Sequence, residues 1–63
     1  MKIGERIKAI RKTKNLTQND LALCIGKDRS QIVRYEKGKS DIPLSVLEKI
    51  AMVLKVPIAK LFG

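Results

Sequence analysis

The tightest constraint on this chain is the stretch 17–37, TQNDLALCIGKDRSQIVRYEK, in which two short helical patterns meet at Gly26 with about three residues between them. Thr17 offers a side-chain oxygen to the free amides that open a helix, and Asp20, three residues on, complements those amides and the positive end of the helix. On a wheel of about 3.6 residues per turn Leu21, Ala22 and Ile25 share one face, Cys24 sits at its border as a half-buried small hydrophobe, and Leu23 points away. Gly26 ends the pattern where a left-handed residue is favoured, and Asp28 stands where the next helix needs a cap. Helices joined by so short a turn cross steeply. In the helix over 29–37, Ile32 and Tyr35 face inward with Glu36 at the edge. Ser30, Arg34, Lys37 and, less centrally, Val33 face outward.

The flanking segments supply the rest of a core. Ile3, Ile7 and Ile10 recur at i, i+4 and i+7 among Lys2, Glu5, Arg6, Lys8, Lys12 and Lys14, the pattern of an amphipathic helix. The polar Lys14-Asn15 pair ends it and Leu16 returns toward the core. Gly38 closes the third helix, and 39–43 reads as a loop with Pro43 near the first turn of a fourth helix. Leu44, Leu47, Ile50, Ala51 and Leu54 then form the central core stripe, Val56-Pro57 interrupts it, and Ile58, Leu61 and Phe62 mark a last turn or two. The expectation is one all-α domain over 1–63, built from five short helices with a helix-turn-helix formed by the second and third.

A chain of 63 residues buries only about 60% of the surface its unfolded form exposes, so stability is modest. With two aromatics and no tryptophan, the core is built from Ile, Leu, Val and Ala. Fourteen Lys and Arg against six Asp and Glu give a net charge of +8 and a pI near 10.1, which points to a polyanionic partner. Nucleic acid is the first candidate and an anionic membrane surface the second; the second is disfavoured because the apolar stripes are needed for a shared core. The longest apolar runs fall far short of the roughly 20 residues that cross a bilayer. The single Cys24 forms no intramolecular disulfide and Met1-Lys2 opens nothing like a signal peptide, so a reducing cytoplasm is expected. There is no His, the six acidic residues are spread along the chain, and the four glycines stand singly. Catalysis, a metal site, a phosphate loop and a cofactor are therefore not expected.

The order Leu16-Thr17-Gln18, Asp20-Leu21-Ala22, Gly26, Ser30, Ile32, Arg34-Tyr35-Glu36-Lys37-Gly38, Ile50-Ala51, Leu54 and Val56 resembles the Cro/C1-type (XRE) helix-turn-helix family, which includes phage repressors, over essentially the whole chain. The resemblance implies a lambda-repressor-like fold that binds double-stranded DNA. It implies that Thr17 and Gln18 meet a phosphate at the start of the second helix, and that Arg29, Ser30, Gln31 and Arg34 reach base edges from the third. It further implies that Arg11 pairs with Glu36 between the first and third helices; as an exposed pair this is worth only about 0–1 kcal/mol and matters for positioning.

An α-helix fits the major groove, and a guanidinium can bridge guanine O6 and N7, for which Arg34 is the first choice. Lys37, Lys39 and Ser40 come next as phosphate contacts. Position 33 is Val where relatives usually carry a polar residue; it either touches a thymine methyl or lies at the edge of the core. Leu23, also at a usually polar position, is either a partner contact or an isolated exposed leucine. Tyr35 and Phe62 lie on apolar stripes, which favours core packing over base stacking. Val56, Pro57, Ile58, Leu61 and Phe62 divide between closing the core and a dimer interface. The expected function is a DNA-binding transcriptional regulator, most simply a repressor, working as a homodimer on a pseudo-palindrome. The alternative is a protein-interaction module, such as an antitoxin or adaptor, built on the same fold.

Overall fold

The computed structural model describes residues 2–63; Met1, where the leader-free reading begins, lies outside the described residues. The helices are α1 (Ile3–Thr13), α2 (Gln18–Ile25), α3 (Arg29–Glu36), α4 (Leu44–Leu54) and α5 (Ala59–Phe62), and no strand occurs among the described residues. The first four end in the same way. A residue with positive φ follows each, at Asn15 (59°), Gly26 (70°), Gly38 (72°) and Lys55 (59°). The next amide then turns back to a carbonyl of the last turn: Leu16 to Arg11, Lys27 to Ala22, Lys39 to Arg34 and Val56 to Ala51, at 2.9–3.2 Å. These are Schellman closures, which satisfy orphan carbonyls and reverse the chain within two residues. Gly26 and Gly38 reach this conformation without strain, and Asn15 tolerates it. Lys55 is the unforeseen case, because nothing in its side chain favours a left-handed backbone.

At the other end of α2, Thr17 Oγ1 accepts from the Asp20 amide at 3.0 Å while Asp20 Oδ2 accepts from the Thr17 amide at 2.9 Å. This reciprocal box, led by the bond from the Thr17 amide, holds the Asp20 carboxyl below the usual aspartate range. The expected side-chain cap at Asp28 is absent. Its backbone carbonyl instead accepts from the Gln31 and Ile32 amides, so the first turn of α3 closes through main chain.

Helix α2 packs on α3 and α4, and α1 lies across α3, α4 and α5. The largest fully buried side chains are Ile7, Leu21, Ile32, Ile50, Leu54 and Leu61, with Tyr35 buried beside them. Three assignments from periodicity are corrected. Leu44 is 61% exposed and Val46 is buried instead, so the inward face of α4 begins at Val46 and Leu47 and the opening residue of the helix lies outside it. Phe62 is 53% exposed, since Leu61 takes the inward position on the short α5. Cys24 is exposed, on the solvent side of the border where the wheel set it.

The ion pair between α1 and α3 is also corrected, from exposed to buried. Arg11 Nε donates to Glu36 Oε2 at 2.7 Å and its Nη2 to Oε1 at 3.1 Å, with both residues only 6% exposed. The third edge of the guanidinium donates from Nη1 to the Leu16 carbonyl at 2.7 Å, and Gln18 Nε2 donates to Glu36 Oε1 at 3.1 Å. No described buried side-chain nitrogen or oxygen lacks a partner. One network therefore joins the end of α1, the loop after it, the start of α2 and the end of α3.

Gly4 makes the same junction by contact. A Cβ built on it would stand 2.2 Å from the Tyr35 carbonyl oxygen and 2.8 Å from that of Glu36. The first turn of α1 thus lies directly against the C-terminal end of α3, an approach only hydrogen on Cα permits.

Two outcomes follow. In an open helix Gly→Ala stabilises by about 1 kcal/mol; at Gly4 the sign reverses, and urea denaturation of Gly4→Ala should show a loss of about 1–3 kcal/mol. Glu36→Ala, which strands Arg11 in the interior, should cost about 3–5 kcal/mol, whereas the double change Arg11→Met, Glu36→Leu should recover most of that loss in the same measurement.

Candidate nucleic-acid interface

Helix α3 is held from behind and open in front. Ile32 and Tyr35 sink into the core and Glu36 into the ion-pair network, so the eight-residue helix has a defined rotation about its axis. That rotation leaves Arg29, Ser30 and Arg34 exposed and Gln31 and Val33 half-buried. Val33 therefore sits at the rim of the core with part of its surface facing out. Gln31 Nε2 lies 3.4 Å from Tyr35 Oη, a long hydrogen bond between neighbouring turns.

The residues expected at phosphate are arranged around the two ends of α2 and α3. Thr17 is exposed, with its hydroxyl committed to the cap of α2. Gln18 is half-buried and its amide nitrogen is bound to Glu36, which leaves its carbonyl oxygen and second N–H for other contacts. Lys37 and Lys39 are exposed where the chain turns at Gly38. Ser40 is half-buried, and its Oγ accepts from Arg34 Nε at 2.9 Å, a contact between two expected DNA-facing residues that spacing alone did not suggest.

At the C-terminal end Leu61 has no exposed surface and serves the chain's own core. Pro57 and Phe62 are exposed, while Val56 and Ile58 are half-buried and pack against the core. Met52, 77% exposed on α4, is a further apolar surface residue that the stripe reading passed over; its place on the helix face opposite Leu54 was the available signal. Leu23 stands 73% exposed on α2. Among the described residues no cluster of His, Cys, Asp or Glu is suited to a metal, and no helix is long and apolar enough to cross a membrane.

Comparison with known proteins agrees with this geometry. A helix-turn-helix family model matches residues 7–61. The immunity repressor protein of Bacillus phage phi105 is 38% identical over 63 residues, covering 100% of this chain and 44% of that protein. Antitoxin PezA of Streptococcus pneumoniae is 34% identical over 61 residues, covering 97% of this chain and 39% of that protein. The chain thus spans about two fifths of the length of these curated relatives, 39% and 44%. Among solved structures, the biofilm master regulator SinR in complex with DNA superposes with a TM-score of 0.87 at 34% identity, over 97% of this chain and 98% of that one. An α2–α3 pair joined by a short turn and tied to α1, with a polar and basic outer face, is in this setting the mark of a lineage: the chain belongs to the Cro/C1-type (XRE) helix-turn-helix family, whose members include phage repressors and other transcriptional regulators.

Proposed function

We propose that this chain is a sequence-specific double-stranded-DNA-binding unit of a transcriptional regulator, acting most simply as a repressor. The observation that carries the reading is the outer face of α3, on which Arg29, Ser30 and Arg34 stand free of the core while Ile32, Tyr35 and Glu36 fix the helix from behind. Arg29, Ser30, Gln31, Val33 and Arg34 meet base edges in the major groove. Thr17, Gln18, Lys37, Lys39 and Ser40 meet the phosphates on either side. The +8 charge supplies the long-range attraction and most of the non-specific affinity.

One domain with a single short reading helix buries too little surface for both affinity and specificity. A symmetric dimer on half-sites about 34 Å apart resolves this, with Pro57, Phe62 and the exposed parts of Val56 and Ile58 as the candidate contact. A second reading, a protein-interaction module, is favoured by Leu23 at 73% exposure on α2 and by the likeness to an antitoxin. Selection of bound duplexes from a random pool at known salt separates the two. Enrichment of a two-fold symmetric site supports the first, whereas no enrichment together with a stoichiometric protein complex supports the second.

On the selected duplex, Arg34→Ala should cost about 1–3 kcal/mol and relax preference at one base pair, and an equal loss on all sequences would reassign Arg34 to the backbone. Lys39→Ala should weaken all sequences alike and make the salt dependence shallower by about one unit, which a salt titration reads directly.

A further inference from the structure

Arg34 and Ser40 stand on either side of the chain reversal at Gly38. The Schellman closure, with the Lys39 amide on the Arg34 carbonyl at 2.9 Å, folds the chain back so that Ser40 comes beside the helix it follows. There its Oγ accepts from Arg34 Nε at 2.9 Å. A guanidinium carries five N–H donors in a planar fork, and with Nε engaged the four on Nη1 and Nη2 remain. Among the described residues these make no protein hydrogen bond. That free end-on edge is one that matches guanine O6 and N7. The Ser40 hydroxyl, having accepted from Nε, still has its own hydrogen to donate, and a phosphate oxygen is the acceptor that bound DNA would bring to this loop.

We infer that Ser40 is a positioning residue that sets the orientation in which Arg34 reads its base pair, and that its one hydroxyl couples this orientation to a backbone contact. The inference rests on the reading of Arg34 as a base contact. An exposed arginine is otherwise spread over many rotamers, and restricting it before binding raises the fraction already in the reading pose. Ser40 therefore contributes to discrimination between base pairs and not only to uniform affinity.

The test uses the duplex recovered by random-pool selection and its single-base-pair variants, with the wild-type chain, Arg34→Ala, Ser40→Ala, Ser40→Thr and the double Arg34→Ala, Ser40→Ala, all at one salt concentration. Ser40→Ala should weaken binding to the selected duplex about three- to tenfold, with the loss concentrated at the base pair that Arg34→Ala relaxes. Adding Ser40→Ala to Arg34→Ala should remove no further discrimination, and Ser40→Thr, which keeps the hydroxyl, should restore wild-type discrimination. In the DNA-free protein an Arg34 Nε–H resonance protected from exchange should be present in wild type and Ser40→Thr and lost in Ser40→Ala. Loss of affinity that is equal on every duplex, tighter binding by Ser40→Ala, or no protected Nε–H in wild type would overturn the inference while leaving Arg34 as a base reader. If Arg34→Ala itself leaves every base preference unchanged, or the pool yields no preferred duplex, the underlying reading fails and the inference with it.

Discussion

The carboxylate of Glu36 is the point on which the arrangement of this domain depends. Taken out of water, an ion of this kind carries a penalty of several kcal/mol unless it finds a counter-charge and donors for its remaining lone pairs. Here Arg11 supplies two N–H groups and Gln18 a third, and Arg11 spends its other edge on the Leu16 carbonyl. Such a pair contributes little net stability beyond what apolar side chains of the same volume would. Its effect is directional. A core of Ile, Leu, Val and Ala with the one aromatic Tyr35 tolerates small slides and rotations of helices, whereas a bidentate guanidinium–carboxylate contact does not. The rotation of α3, and so the direction in which Arg34 projects, is set by an ion pair at the opposite side of the helix.

Close approach reinforces this. Gly4 brings the backbone of α1 against the last carbonyls of α3, and four consecutive Schellman closures keep every connection short. Short connections fix crossing angles, because the chain has too few residues between helices to accommodate alternatives. A small domain with a largely aliphatic core thereby acquires a rigid presentation of one helix face, which is what reading a groove requires.

Charge acts at a different range from these contacts. Lys2, Lys8, Lys12, Lys14 and their neighbours raise the overall field without being aimed at any one group, and their influence falls off beyond about 10 Å at ordinary salt. In the proposed function the selective element is the pre-set geometry of a few side chains on α3 and in the turn after it. The bond between Arg34 and Ser40 belongs to this second class, since it restricts a long charged side chain where its direction matters.

Much of this was legible in the residues themselves. The five helices, the Thr17–Asp20 box, the closures at Gly26 and Gly38, and the inward faces of α2 and α3 follow from periodicity and from cap chemistry within a few residues, which are local properties of a chain. Other features were not legible because they depend on what covers a residue. Leu44 and Phe62 lie on apolar stripes but are exposed while Val46, Leu47 and Leu61 beside them are buried, and Asp28 stands at a cap position where its own carbonyl takes the Gln31 amide. The burial of Arg11 with Glu36 and the collision that any Cβ on Gly4 would meet require elements distant in sequence to be placed in space. Spacing along the backbone was enough to mark which segments are helical and which faces of α2 and α3 turn inward. The burial of the ion pair, the touch of α1 on α3 through a glycine and the meeting of Ser40 with Arg34 emerge only once the helices are packed, because each is a contact across space with no periodic signature.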